Sequence, residues 1–258
     1  MEITPTAPGP GPAIAVRDLR KVYEGKAAVD GLTLTVPRGC FFGFLGPNGA
    51  GKSTTIRMLI GLAAPTSGSI ELLGMPMPEK EIDIKKRIGL VPDENLLFDR
   101  LTGREFLEFV GRMYGLERRL SIQRADELLD LFQLSNERKK LIAEYSKGMR
   151  KRIAMAASLI HGPELFLMDE PFEGVDAVGA RLMKDILLDL VQQGATIFLT
   201  SHVLEVVERL CDRVAIINQG KIVMEGETTE LRRGAETLED VFVRVVGADR
   251  EFERLQWL

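Results

Sequence analysis

The stretch Gly46-Pro47-Asn48-Gly49-Ala50-Gly51-Lys52-Ser53-Thr54 fits the pattern Gly-x4-Gly-Lys-Ser/Thr, which binds phosphate chains. Its glycines let the backbone wrap a phosphate chain with N–H groups pointing inward. Lys52 then reaches the β- and γ-phosphates, the Ser53 hydroxyl ligates Mg2+, and Thr54 sits near the α-phosphate. A second run, Leu165-Phe166-Leu167-Met168-Asp169-Glu170, puts two acids after four apolar residues. In a chain that carries the phosphate loop, Asp169 holds Mg2+, through water, and Glu170 polarises the attacking water. General-base catalysis needs a carboxylate beside the γ-phosphate that the metal does not use up. His202 follows Thr200-Ser201, where a strand points at the nucleotide, and its charge can change near neutral pH. Four other positions are ambiguous from the residues alone. Ser146 and Gly148 open a helix and suit an anion or an ordinary cap. Asp176 precedes a helix and reads as a cap. His161, in His-Gly-Pro, reads as a turn residue.

The elements around these residues are legible in part. Cys40–Leu45 is apolar without alternation, as a strand buried on both faces should be. After the glycine loop, Ser53 to Leu62 reads as a helix with Ile56, Leu59 and Ile60 on one face. Strands are expected at 13–16, 32–36, 68–73 and 88–91. From about 94 to 160 the sequence turns helical. Thr102-x-x-Glu105 is a capping box. Ser121 is expected to cap a second helix. A third starts near Ser146, with Arg150, Lys151 and Arg152 on its outer face. Beyond 165, strands at 165–168, 196–199, 213–217 and 221–224 alternate with helices at about 179–191 and 203–210. Residues 237–246 form a last amphipathic helix. The expected fold is α/β, a phosphate-loop core on a mostly parallel sheet with an N-terminal antiparallel β portion and a helical subdomain inserted between strands. The expected divisions are a Pro- and Gly-rich flexible tail at 1–12, a core at 13–225 and a helical extension at 226–258.

Composition narrows the class. The chain has 258 residues, 45% hydrophobic and 28% charged, with a net charge of −4, an ordinary balance for a soluble protein. No basic stripe stands out, so nucleic acid is not an expected partner. Cys40 and Cys211 lie far apart in apolar runs and read as core thiols of a reducing compartment. No segment approaches the roughly 20 apolar residues of a membrane span, and no signal peptide is evident. The expectation is a cytoplasmic protein that works at a membrane only through a partner.

Taken together and in order, these motifs resemble those of ATP-binding-cassette (ABC) nucleotide-binding subunits over roughly residues 13–225. The resemblance implies an ATPase using ATP and Mg2+. It matches Tyr23 to the aromatic that stacks on adenine, 46–54 to the phosphate loop, and Asp169 and Glu170 to the metal acid and catalytic glutamate. It matches Ser146 and Gly148 to the signature that contacts the γ-phosphate held by a second cassette. Asp176 corresponds to the loop aspartate at that junction, and His202 to the γ-phosphate sensor. It also implies a head-to-tail pair of cassettes, a homodimer, at the inner face of the cell membrane on an integral-membrane permease. The segment 237–242 resembles cassettes that serve exporter-type permeases. Asp93 stands where the family has a glutamine that touches the metal, Lys147 where it has glycine, Met149 where it has glutamine, and Phe172 where a small hydroxyl residue is common. The alternatives are a non-transport ABC ATPase and a nucleotide-dependent regulatory module. No Asn-Lys-x-Asp run supports guanine specificity.

Overall fold

The computed structural model describes residues 11–93, 97–232 and 236–247. Most of the 1–12 tail and the end of the C-terminal extension lie outside the described residues. Strands β1 (Ile14–Tyr23), β2 (Lys26–Val36), β4 (Ser67–Leu72) and β5 (Met75–Met77) form an antiparallel sheet in the order β2-β1-β4-β5. Strands β3 (Phe41–Leu45), β6 (Ile88–Val91), β7 (Leu165–Asp169), β8 (Thr196–Ser201), β9 (Arg213–Asn218) and β10 (Lys221–Glu227) form the second sheet, ordered β10-β9-β3-β8-β7-β6. All its pairings are parallel except β10 with β9.

The unalternating apolar strands are explained by two cores. Phe41, Leu45, Phe166, Met168, Ile197 and Leu199 belong to one buried cluster, and Phe42, Phe44, Leu165, Leu167 and Phe198 to the other. Neighbouring side chains on one strand point to opposite faces, so both faces of the second sheet are covered. Helix α1 (Lys52–Leu59) lies on the antiparallel-sheet side, through Ile56, Met58 and Leu59. It is shorter than the expected helix to Leu62. Gly61 takes φ 77° and donates to the Met58 carbonyl, closing the last turn. The short helix α2 (Glu81–Lys85) and β5 were not expected from the sequence.

Between β6 and β7 lie α3 (Gly103–Met113), α4 (Arg118–Leu131) and α5 (Lys147–Leu159). The capping box opens α3 as expected, with Thr102 and Glu105 bonded reciprocally. Ser121 does not cap α4. The helix begins three residues earlier, with Glu117 at the cap position, and the Ser121 hydroxyl bonds back to the Leu116 and Glu117 carbonyls inside the helix. His161 sits in a turn but its ring is stacked on Tyr114 at 3.6 Å between centroids. At the near end of the β6–β7 pair, Arg87 grips Glu164 through two bonds of 2.6 and 2.7 Å. Helices α6 (Ala177–Gln192) and α7 (Leu204–Leu210) follow β7 and β8. The short helix α8 (Thr228–Leu231) and α9 (Leu238–Val246) follow β10, which itself runs past residue 225. Leu238 and Val241 of α9 are buried in the same cluster as Val207 and Leu210 of α7.

Candidate functional site

The C-terminal ends of β3, β6, β7 and β8 meet at one cleft of about 540 Å³. Open α/β sheets bind ligands at this end of their strands. The cleft is lined by Asn48, Gly49, Gly51, Lys52, Ser53 and Thr54 on one side and by Asp93, Asp169, Glu170, Glu173 and His202 on the other. Ala28 of β2 completes the wall.

The glycine loop is shaped by close backbone approach. A Cβ at Gly46 would fall 2.4 Å from the Ile217 carbonyl oxygen. One at Gly51, where φ is 113°, would fall 2.6 Å from that of Ala28. Only glycine fits either place. Gly51 is also the first capping position of α1 and supplies no side-chain cap, so the N–H groups at the start of α1 are left for an anion. Pro47 and Ala50 close the loop, with Ala50 N–H donating to the Pro47 carbonyl. The buried Lys52 ammonium donates to the carbonyls of Gly46 at 2.7 Å and Pro47 at 3.3 Å.

Opposite the loop, Asp169 ends β7 and is buried. The Thr200 hydroxyl donates to its Oδ1 and also accepts from the Glu170 N–H at 3.2 Å. Glu170 is held at φ 47°, a left-handed conformation uncommon for any residue but glycine. Its Oε2 accepts from the His202 N–H at 3.3 Å and lies 3.0 Å from His202 Nδ1. A carboxylate, an imidazole and a lysine therefore share the mouth of one cleft. Strain of this kind persists where surrounding bonds enforce it, and it clusters at sites of chemistry.

Among the described residues, no three acidic, His or Cys side chains converge as a metal cage. Oxygen donors in the cleft lining include the Ser53 hydroxyl and the carboxylates of Asp169 and Asp93. A hydroxyl and one or two carboxylates, completed by phosphate oxygens and water, are the donor set that suits Mg2+.

Asp93, half exposed, lies with Oδ1 3.7 Å from the ammonium of Lys151. Lys151 lies on the face of α5 opposite its apolar stripe in the sequence pattern, yet its side chain is 1% exposed. Its neighbours are occupied too: Arg150 bonds Asp99 at 2.7 Å, and Arg152 bonds the Phe132 carbonyl at 3.1 Å.

The remaining matched residues stand outside the cleft lining. Tyr23 is exposed at the end of the β1–β2 hairpin, with the Lys21 ammonium 4.9 Å above its ring. Ser146 caps α5 by accepting from the Met149 N–H. Asp176 caps α6 by accepting from Val178 and Gly179, and those N–H bonds hold its carboxyl below the usual range. A Cβ at Gly148 would lie 3.8 Å from Asp176 Oδ2, so signature and loop aspartate sit side by side. Lys147 reaches across Gly174 to Glu173 at 2.9 Å, and its ammonium holds that carboxyl below the usual range. The ring of Phe172 packs against the core cluster, with Lys184 5.5 Å from its centroid.

A sequence model of the ABC transporter family matches residues 29–173. The daunorubicin/doxorubicin resistance ATP-binding protein DrrA of Streptomyces peucetius is 41% identical over 223 residues, covering 86% of this chain and 68% of that protein. The bacitracin transport ATP-binding protein BcrA of Bacillus licheniformis is 40% identical over 213 residues, covering 82% and 69%. A solved structure described as the ATP-binding subunit of an ABC transporter superposes with a TM-score of 0.84 at 29% identity, covering 90% of this chain and 99% of that one.

Proposed function

The chain belongs to the ABC transporter family, and from that premise we propose that it is the ATP-hydrolysing subunit that energises export by a separate membrane permease. The observation that carries this reading is the convergence of the glycine loop, Asp169, Glu170 and His202 on one cleft. ATP lies with its phosphates along residues 46–54 and its adenine on Tyr23. Ser53 and Asp169, with Asp93 close by, would hold Mg2+, which would supply positive charge to offset the charge of the phosphates. Glu170 takes a proton from the water that attacks the γ-phosphorus, and ADP leaves with the bridging oxygen. His202, bonded to Glu170, orients that carboxylate and reaches the γ-phosphate.

Two copies pair head to tail, so that Ser146, Gly148 and Asp176 of each face the nucleotide of the other. Their place outside the cleft of their own chain supports this arrangement. The names of DrrA and BcrA, a drug-resistance and an antibiotic-transport protein, support transport over a soluble role. No helix among the described residues is long and apolar enough to cross a membrane. The permease contact is the apolar surface of Phe98, Phe109 and Met113, where Phe98 meets Phe109 edge to face at 5.3 Å and all three are exposed. Leu97, next to Phe98 in the chain, is half buried against the core.

Purification of the tagged chain from membranes tests the whole reading. The account expects a multispanning partner to co-purify and the complex to hydrolyse ATP. A chain that hydrolyses ATP but comes only from the soluble fraction, with no membrane partner, removes transport from the account.

A further inference from the structure

The most buried cation of the described residues lies outside the site assigned above. Lys151, on α5, is 1% exposed. Its Nζ lies 2.8 Å from the Asp93 carbonyl oxygen, 3.2 Å from that of Glu170 and 3.5 Å from that of Pro92. An ammonium has three N–H donors and no acceptor, so three carbonyls match it one for one. The two acceptor segments leave adjacent parallel strands, β6 and β7, which are in register from Ile88 with Leu165 to Val91 with Met168. Past that point the ladder holds them no longer, and Lys151 is the first group that joins them.

From this geometry we infer that Lys151 is a positioning residue for hydrolysis, an internal tie that fixes the backbones of Asp93 and Glu170 relative to each other and to α5. The inference rests on the reading of Glu170 as the base. Three observations carry it. A buried ammonium is expensive unless its hydrogen bonds are complete and its charge is offset; here three carbonyl dipoles complete it and the Asp93 carboxylate, at 3.7 Å, offsets it. Glu170 is held at φ 47°, a conformation that needs outside support. That support comes from opposite sides, Thr200 at its N–H and Lys151 at its carbonyl, which leaves the carboxylate free to meet His202. Finally, α5 is the helix that Ser146 caps. A displacement of α5 therefore reaches Asp93 and Glu170 through one side chain, without passing through the sheet.

A shift of about 1 Å in a catalytic group costs on the order of 100-fold in rate. Lys151→Met keeps the length and removes all donors. It is expected to lower kcat 10- to 100-fold while the Kd for ATP, measured without turnover, stays within threefold. Lys151→Arg restores donors and charge and should recover at least half of that loss on a logarithmic scale. Amide exchange gives a readout independent of activity. In the Met variant, peptides covering 88–93 and 169–174 should exchange at least tenfold faster, while those of β3 and β8 stay at the parent rate. Should the Met variant not fold, Lys151→Gln, which keeps two donors, takes its place with the same exchange pattern at smaller amplitude.

Glu170→Gln is run alongside. It should abolish hydrolysis and leave exchange in both segments at the parent level. If it hydrolyses ATP like the parent, the base assignment fails, and the exchange data still decide whether Lys151 ties the two segments. Parent-level exchange in both segments, parent-level kcat, or faster exchange spread evenly over the chain in the Lys151 variants would each overturn the inference.

Discussion

His161 makes the stability of this protein depend on pH in a way that one substitution should remove. Its ring stacks on Tyr114, and Nε2 lies 3.0 Å from the Ile88 carbonyl oxygen, so Nε2 carries the proton of the neutral ring. Burial pushes the pKa down to about 4 from 6.5, and the nearby Arg124 cation pushes the same way, against the Ile88 bond. With the folded pKa below the unfolded one, the unfolded chain takes up a proton first as pH falls. The neutral ring therefore costs nothing above pH 6.5, and stability is lost progressively between about 6.5 and 4. Each pKa unit is worth about 1.4 kcal/mol, so moving from pH 7.5 to 4.5 removes roughly 2–3 kcal/mol through this group alone. Paired carboxylates such as Glu164 also lose stability on acidification, in the parent and in a variant alike, so the difference between the two isolates His161. His161→Phe keeps the stack and drops the titration. It should cost about 1 kcal/mol at pH 7.5, where the Ile88 carbonyl loses its donor. It should then be as stable as the parent, or more so, at pH 4.5. Urea unfolding at both pH values, followed by circular dichroism, measures this. Equal losses in parent and variant between the two pH values would refute the reasoning.

Lys52→Ala should weaken ATP binding at least tenfold, because it removes the cation that faces the phosphates, and leave the melting temperature within a few degrees; titration calorimetry reads both affinity and stoichiometry. Asp93→Asn should raise the Mg2+ concentration for half-maximal ATPase two- to fivefold, the size expected of one half-exposed charge; an unchanged Mg2+ titration for Asp93→Asn and Asp93→Gln makes Asp93 a bystander. Phe98→Ala should leave the ATPase of the isolated chain near the parent level and reduce co-purification with the permease severalfold, and full recovery of the partner would move the contact elsewhere on the surface.

What was readable in the sequence follows from what chemistry and geometry each impose. The phosphate loop is legible because glycine alone tolerates the approach of the Ile217 and Ala28 carbonyls. Asp169 and Glu170 are legible because a strand buried on both faces ends abruptly in charge. Thr102 and Glu105 announce α3 because a capping box is a local device. The failures are equally physical. Ser121 looked like a cap because a hydroxyl preceded an apolar run, but Arg118, Arg119 and Leu120 are good helix formers and the helix extends through them. His161 is the turn residue its His-Gly-Pro context suggests, but nothing local reports that Tyr114, at the C-cap of α3, supplies a ring stacked on it. Arg150-Lys151-Arg152 falls on the face opposite the apolar stripe of α5, and three cations in a row seldom enter a core. Which one turns inward depends on two strand ends far away in sequence, and no local pattern contains that. The proposed roles of Ser146, Gly148 and Asp176 depend on a second copy of the chain, and that of Tyr23 on a bound nucleotide, so neither periodicity nor a single chain's packing reports them.

The central claim is that Glu170 drives hydrolysis at a cleft that binds ATP independently of it. The most direct measurement compares Glu170→Gln with the parent in one experiment, following phosphate release and the sedimentation of the chain with Mg2+ and ATP. The account predicts a fall in phosphate release on the order of 10²–10⁴-fold. It also predicts unimpaired ATP binding and a stable ATP-bound dimer that the parent forms only transiently. A Glu170→Gln protein that releases phosphate at the parent rate would contradict it.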